Sequence, residues 1–258
     1  MLYVVALVIF VCLFFAAVLC VVEIGRGLGL RHRMKDPEGS AAGFGAIEGA
    51  VFGLMGLLIA FTFSGAAARF DARRQLILQE TNAIGTAYLR LDLLPASAQP
   101  KLRQDFRRYL DARIAAFRNL PDIEAAKLEM DRATSLQGDI WAQAVAGCKE
   151  MSSPAVMSLV LASLNDMIDI TTARAVALQT HPPLVIFVML AALVLAGSVL
   201  AGYAMSGRRE RSIPHILGYA AILTFVVYVI IDLEFPRYGM IRIDSADQIM
   251  VDLRKSIN

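Results

Sequence analysis

The chain has 258 residues, 57% of them hydrophobic, with a mean hydropathy of +0.57 and a formal net charge of +2. So apolar a composition excludes an ordinary soluble domain and calls for membrane spans. A charge this close to balance gives no reason to expect nucleic acid as a partner.

Leu2 to Val22 carries no charged side chain and is long enough to cross a bilayer. It lacks the basic start and short apolar core of a cleaved signal peptide, so a retained span is expected. Glu23 to Phe44 holds Arg26, Arg31, Arg33 and Lys35, then the turn formers Pro37 and Gly39, and reads as a basic connection. Ala46 to Leu94 follows without a proline. As one helix it would be about 73 Å long at 1.5 Å per residue, against a hydrocarbon core of roughly 30 Å. It must therefore leave the membrane: in a span of about 46–68, Gly49 to Ala68 is the apolar part, and Arg69, Asp71, Arg73 and Arg74 mark its emergence.

Two faces of this helix stand out. Gly45, Gly49, Gly53, Gly56 and Ala60 recur at spacings of three and four, a small-residue face suited to close helix packing in lipid. Glu48, Phe52, Ile59, Phe63 and Phe70 share an arc of roughly 60° beside it. That arc either packs on another helix of the same subunit or, with several copies around an axis, lines a path. Glu48 is open to two roles, one in such a path and one at the membrane interface, where a carboxylate near a helix start gains from the dipole.

Past Pro95, Phe106, Tyr109, Leu110, Ile114 and Phe117 follow helical spacing. Pro121-Asp122 opens a further helix through Trp141, and Ser152-Ser153-Pro154 reads as a cap and first turn of another reaching Leu178. Strand signals are missing. Residues 183–207 and 213–231 are two more uncharged spans joined by the basic turn SGRRERS, and a tail with a short final helix closes the chain. The expected fold is an all-α membrane protein with four transmembrane helices and a helical-bundle soluble insert between spans 2 and 3. Its parts are a hairpin at 1–68, the bundle at 69–182, a second hairpin at 183–232 and a tail at 233–258. Counting basic residues on the short connections gives seven on one side and six on the other, a slight tilt towards placing both termini and the bundle outside.

The chemistry-bearing motifs are few. There is no phosphate loop and no HExxH, and no nucleophile–base pair can be picked out, so neither an enzyme nor a cofactor is expected. Cys12 and Cys20 lie in the first apolar run and Cys148 stands alone, which builds neither a disulfide framework nor a zinc site. Asp166 and Asp169 are too few for the roughly six to eight oxygens calcium takes, so a solvated face is expected and no metal. Ala173 occupies the position that would pair with Asp169, and Arg174 lies one residue too far.

Phe61, Ala68-Arg69, Asp71, Arg73-Arg74, Glu80, Asn82 to Ala87, Arg90, Leu164 to Asp169 with Arg174, and Asp232 with Pro236 to Gly239 resemble the bestrophin-like domain family of bacterial membrane proteins. More distantly the plan is similar to that of bestrophins, which are pentameric anion channels with four spans per subunit and a pore lined by the second. Their tryptophan-rich patch is replaced here by RFDARRQL, and the single tryptophan is Trp141. The resemblance implies a homo-oligomer, a pentamer by analogy, in the lipid bilayer of the bacterial inner membrane. It also implies a cytoplasmic bundle, against the charge tilt, and a pore for an inorganic anion lined by Glu48, Phe52, Ile59, Phe63 and Phe70. The alternative is a non-conducting scaffold or sensor whose bundle binds a soluble partner.

Overall fold

The computed structural model describes residues 2–35, 44–120, 122–151, 153–207 and 212–257. They form eight α-helices: α1 (Leu2–Lys35), α2 (Phe44–Arg90), α3 (Gln99–Arg118), α4 (Ile123–Glu150), α5 (Pro154–Gln179), α6 (Leu184–Met205), α7 (Ile213–Glu234) and α8 (Asp244–Ser256). A single 3-10 turn at Leu91–Leu93 follows α2, and no strand occurs among the described residues. The helical stretches Val5–Lys35, Gly45–Leu93, Pro154–Met205 and Ile213–Glu234 are long and apolar enough to cross a membrane. The all-α, four-span fold read from hydropathy is therefore the observed one.

The chain divides into two compact units. The first comprises residues 1–68 and 181–240. Here α1 and α6 run parallel: Gly25 lies against Val199, Gly29 against Tyr203 and Ser206, and Arg33 Nε donates to Ser206 Oγ at 3.1 Å. A Cβ on Gly25 would run into the Val199 carbonyl, and one on Gly202 into the carbonyl of Val22. Glycine is required at this crossing because the two backbones touch. The same contact explains why α1 does not stop at Val22. Nothing before Pro37 breaks the helix, the Gly25 and Gly29 face docks on α6, and His32, Arg33 and Lys35 suit a helix C-terminus. The expected basic connection is thus helical as far as Lys35.

At the far end of α7, both oxygens of the buried Asp232 carboxylate accept from the Met240 amide, at 3.1 and 3.0 Å. This closes the FPRYG turn, where a Cβ on Gly239 would collide with Asp232. His181 Nδ1 lies 2.9 Å from Oε1 of the buried Glu234, and its ring stacks on Phe235 at 4.8 Å.

The second unit comprises residues 69–180 and 241–258. Its core gathers Ile84 and Tyr88 from α2, Phe106, Tyr109 and Leu110 from α3, Ile140 from α4, Leu164 and Met167 from α5, and Met250 from α8. The periodic α3 residues point inward as their spacing requires, Ile114 being half-buried. Asp122 caps α4 by accepting from the Ala125 amide at 3.1 Å. Ser153 precedes Pro154 as expected, but its hydroxyl makes no cap bond. Arg254 of α8 forks onto Asp111 of α3 at 2.8 and 3.0 Å.

Candidate pore helix and a buried ion cluster

α2 is one uninterrupted helix of 47 residues, about 70 Å at 1.5 Å per residue. In its apolar half the buried residues are Met55 and Ala66. The arc of Glu48, Phe52, Ile59 and Phe63 overlaps that stripe on the helical wheel: the first three are half-buried and Phe63 is 44% exposed. Phe52 lies beside Gly197 of α6, whose missing side chain leaves room for Phe52 and Met55. Phe70 packs on the small cluster of Ile77, Ile243 and Ala246. Thr62 returns its hydroxyl to the Leu58 and Ile59 carbonyls at 2.8 and 3.0 Å, so it adds no free polar group to the surface.

The small-residue face is placed differently. Gly45, Gly49, Gly53, Gly56 and Ala60 are all exposed, and a Cβ added at any of the four glycines would meet nothing within 4 Å. These residues pack on no helix of their own subunit. The close glycine crossing inside the subunit belongs instead to Gly25 and Gly202.

Further along α2, the Glu80 side chain is completely buried. Arg113 Nε donates to its Oε1 at 2.6 Å and Arg174 Nη1 to its Oε2 at 2.5 Å, while Arg174 Nη2 reaches Asp247 Oδ1 at 3.2 Å. The Arg174 guanidinium sits 3.6 Å from the Phe117 ring centroid, and that of Arg113 5.3 Å from it. Two cations and two anions balance. Burial alone would raise the Glu80 pKa, but the Arg113 and Arg174 charges outweigh it and hold the carboxyl below its ordinary range. Burial would lower Arg113, and the Glu80 carboxylate reverses this and raises it. Nearby, Tyr109 accepts from Gln137 Nε2 at 3.1 Å, and burial pushes its phenol well above the ordinary value.

This clasp joins α2, α3, α5 and α8. A second one, also within this unit, is Arg73 of α2, which donates from Nε to the Ala177 carbonyl at 3.1 Å and from Nη2 to the Thr180 carbonyl at 3.0 Å. It satisfies the carbonyl end of α5. Asp169 accepts from Asn165 at 2.8 Å, four residues back on α5. The sequence does carry a signal for the buried cluster: Glu80 falls three residues after Ile77 and four before Ile84, so a charge lies on an apolar helix stripe. Its partners, 33 and 94 residues away, carry no such mark.

A helical chain with four potential spans and a clasped bundle defines a multi-pass membrane protein. The model of the Bestrophin-like domain family matches residues 12–247, and the chain belongs to that family. Among solved structures, a point variant of a bacterial bestrophin homologue from Klebsiella pneumoniae aligns with a TM-score of 0.69 at 14% identity, covering 93% of this chain and 98% of that one. A second Klebsiella pneumoniae bestrophin homologue structure gives 0.66 at 14% identity, with 92% and 98% covered. The crystal structure of a variant membrane protein gives 0.62 at 13%, with 93% and 98% covered. At these identities the likeness is one of fold. No curated protein matches the chain.

Proposed function

We propose that the chain assembles into a homo-oligomeric ion channel, a pentamer by analogy, that conducts inorganic anions along an axis lined by the membrane half of α2. One observation carries this reading. Only 6% of the most apolar stretch of α2 is buried inside the subunit, against 44% for α7. A helix that emerges as the spine of the bundle, yet has almost no cover in its own subunit, suits a position between copies. In that assembly the exposed Gly45–Ala60 face approaches a neighbouring subunit, and packing of small residues drives association. The arc from Glu48 through Phe52, Ile59 and Phe63 to Phe70 then borders the axis along its uncovered edge, with Phe63 foremost, while Phe52 keeps its place beside Gly197. Apolar rings at such positions cannot replace an ion's hydration water and close the path by dewetting, and Glu48 places a ring of negative charge near its mouth. The family resemblance supports the bacterial inner membrane as location and a cytoplasmic bundle.

A scaffold reading also has an observation behind it. Ile123 and Leu128, near the start of α4, are 67% and 70% exposed, a surface a soluble partner could cover. Determining the stoichiometry of the purified protein and imaging it down its symmetry axis separates the two. The channel reading expects five copies around a hole bordered by α2. A dimer with no axial path would leave the scaffold.

A further inference from the structure

The end of α1 combines features that the channel reading does not use. The helix has 34 residues, about 50 Å at 1.5 Å per residue. That exceeds the roughly 40–45 Å of a bilayer with its headgroups, so its last turns reach the headgroup layer. Because α1 runs beside α6, the level of that layer is marked twice. The Tyr203 hydroxyl and His32 Nδ1 meet at 2.9 Å, and α6 ends two residues later, at Met205. An aromatic hydroxyl paired with an imidazole suits the membrane–water interface.

The side of α1 turned away from α6 is uncovered. Ile24, Leu28 and Met34 are 58%, 48% and 77% exposed, and Arg31 and Lys35 are exposed among them. These five fall within roughly 120° of the helix circumference, opposite Gly25, Gly29 and Arg33. In water this would be a bare apolar strip. In the headgroup layer, the apolar members lie along acyl chains and glycerol while the two long basic side chains reach outward to phosphate.

We infer that this face is a binding surface for anionic phospholipid, with Arg31 and Lys35 taking the headgroup phosphate and Ile24 and Leu28 the upper acyl chain. It rests on the membrane location of the family, not on conduction. A basic residue close to an anionic surface strengthens attachment by about fivefold.

The test uses the full-length oligomer in detergent, exposed to equimolar phosphatidylglycerol and phosphatidylcholine, with retained lipid counted by native mass spectrometry. Wild type should retain phosphatidylglycerol preferentially. R31Q/K35Q should cut that preference by about an order of magnitude, and R31K/K35R should keep it. Lys35→Gln alone, at the last helical residue, should give about a fivefold loss and serves if the double variant does not assemble. Equal retention of the two lipids by wild type, or an unchanged preference in the glutamine variants, overturns the inference. So does a glutamine variant that falls apart into smaller species while its subunits keep the lipid preference, because the face would then be a subunit contact.

Discussion

Replacing Glu80 with glutamine keeps the shape of the side chain and removes the one charge that two buried guanidinium groups share. Arg113 and Arg174, whose side chains are 5% and 3% exposed, would be left with Asp247 as their only anion in this cluster. Removing one partner from a buried ion pair costs about 3–5 kcal/mol, because the remaining charge is neither hydrated nor compensated. For a unit of this size that is a drop of about 11–18 °C in melting temperature. Trp141 on α4 is the single tryptophan, so intrinsic fluorescence follows the bundle without a label. Arg254→Ala provides the comparison: it breaks a forked pair with Asp111 whose members are 31% and 52% exposed, and it should cost under about 1 kcal/mol. If Glu80→Gln melts within about 2 °C of wild type, or Arg254→Ala costs as much as Glu80→Gln, the clasp does not hold the bundle.

The same carboxylate makes the bundle acid-sensitive. Its pKa is held below the ordinary 4.5, so its stabilisation is complete above that value and fades as pH falls through the depressed pKa; acid melts of wild type should steepen below about pH 4.5, and those of Glu80→Gln should stay flatter. Gly202→Val forces a side chain into the Val22 carbonyl and should destabilise the α1–α6 pair by about 1–3 kcal/mol or more, read as a loss of folded yield and a lower melting temperature. Gly53→Leu meets open space within the subunit, so it should leave the subunit fold intact and instead yield smaller species in native mass measurements. For orientation, Cys148 is a poor reporter because it is 2% exposed. Lys127→Cys on the exposed side of α4, with Cys12 and Cys20 replaced by serine, should escape an impermeant thiol reagent in intact cells and react after permeabilisation.

What could be read from the sequence is what short-range pattern encodes. The uncharged runs, the length of α2 and the spacing of Phe106, Tyr109, Leu110 and Phe117 are local facts, and each corresponds to an observed helix. The end of α1 was not legible in the same way. Its continuation beyond Val22 depends on Gly25 and Gly29 meeting Val199 and Ser206, more than 170 residues later. Arg174 shows the same limit. Judged by its neighbours on α5 it has no good partner, whereas its partner is Glu80 on another helix. The small residues of α2 look like a packing face in sequence, and within one subunit nothing packs there. Whether they meet a second copy is a property of the assembly, which a single chain's periodicity does not encode.

Passage of ions along α2 is tested most directly by current through the purified oligomer in planar bilayers under a chloride gradient. A channel gives unitary currents that reverse towards the chloride potential and grow in Ile59→Ala or Phe63→Ala, where a smaller apolar ring wets more easily. Correctly assembled wild type and variants that pass no current at any voltage would contradict it.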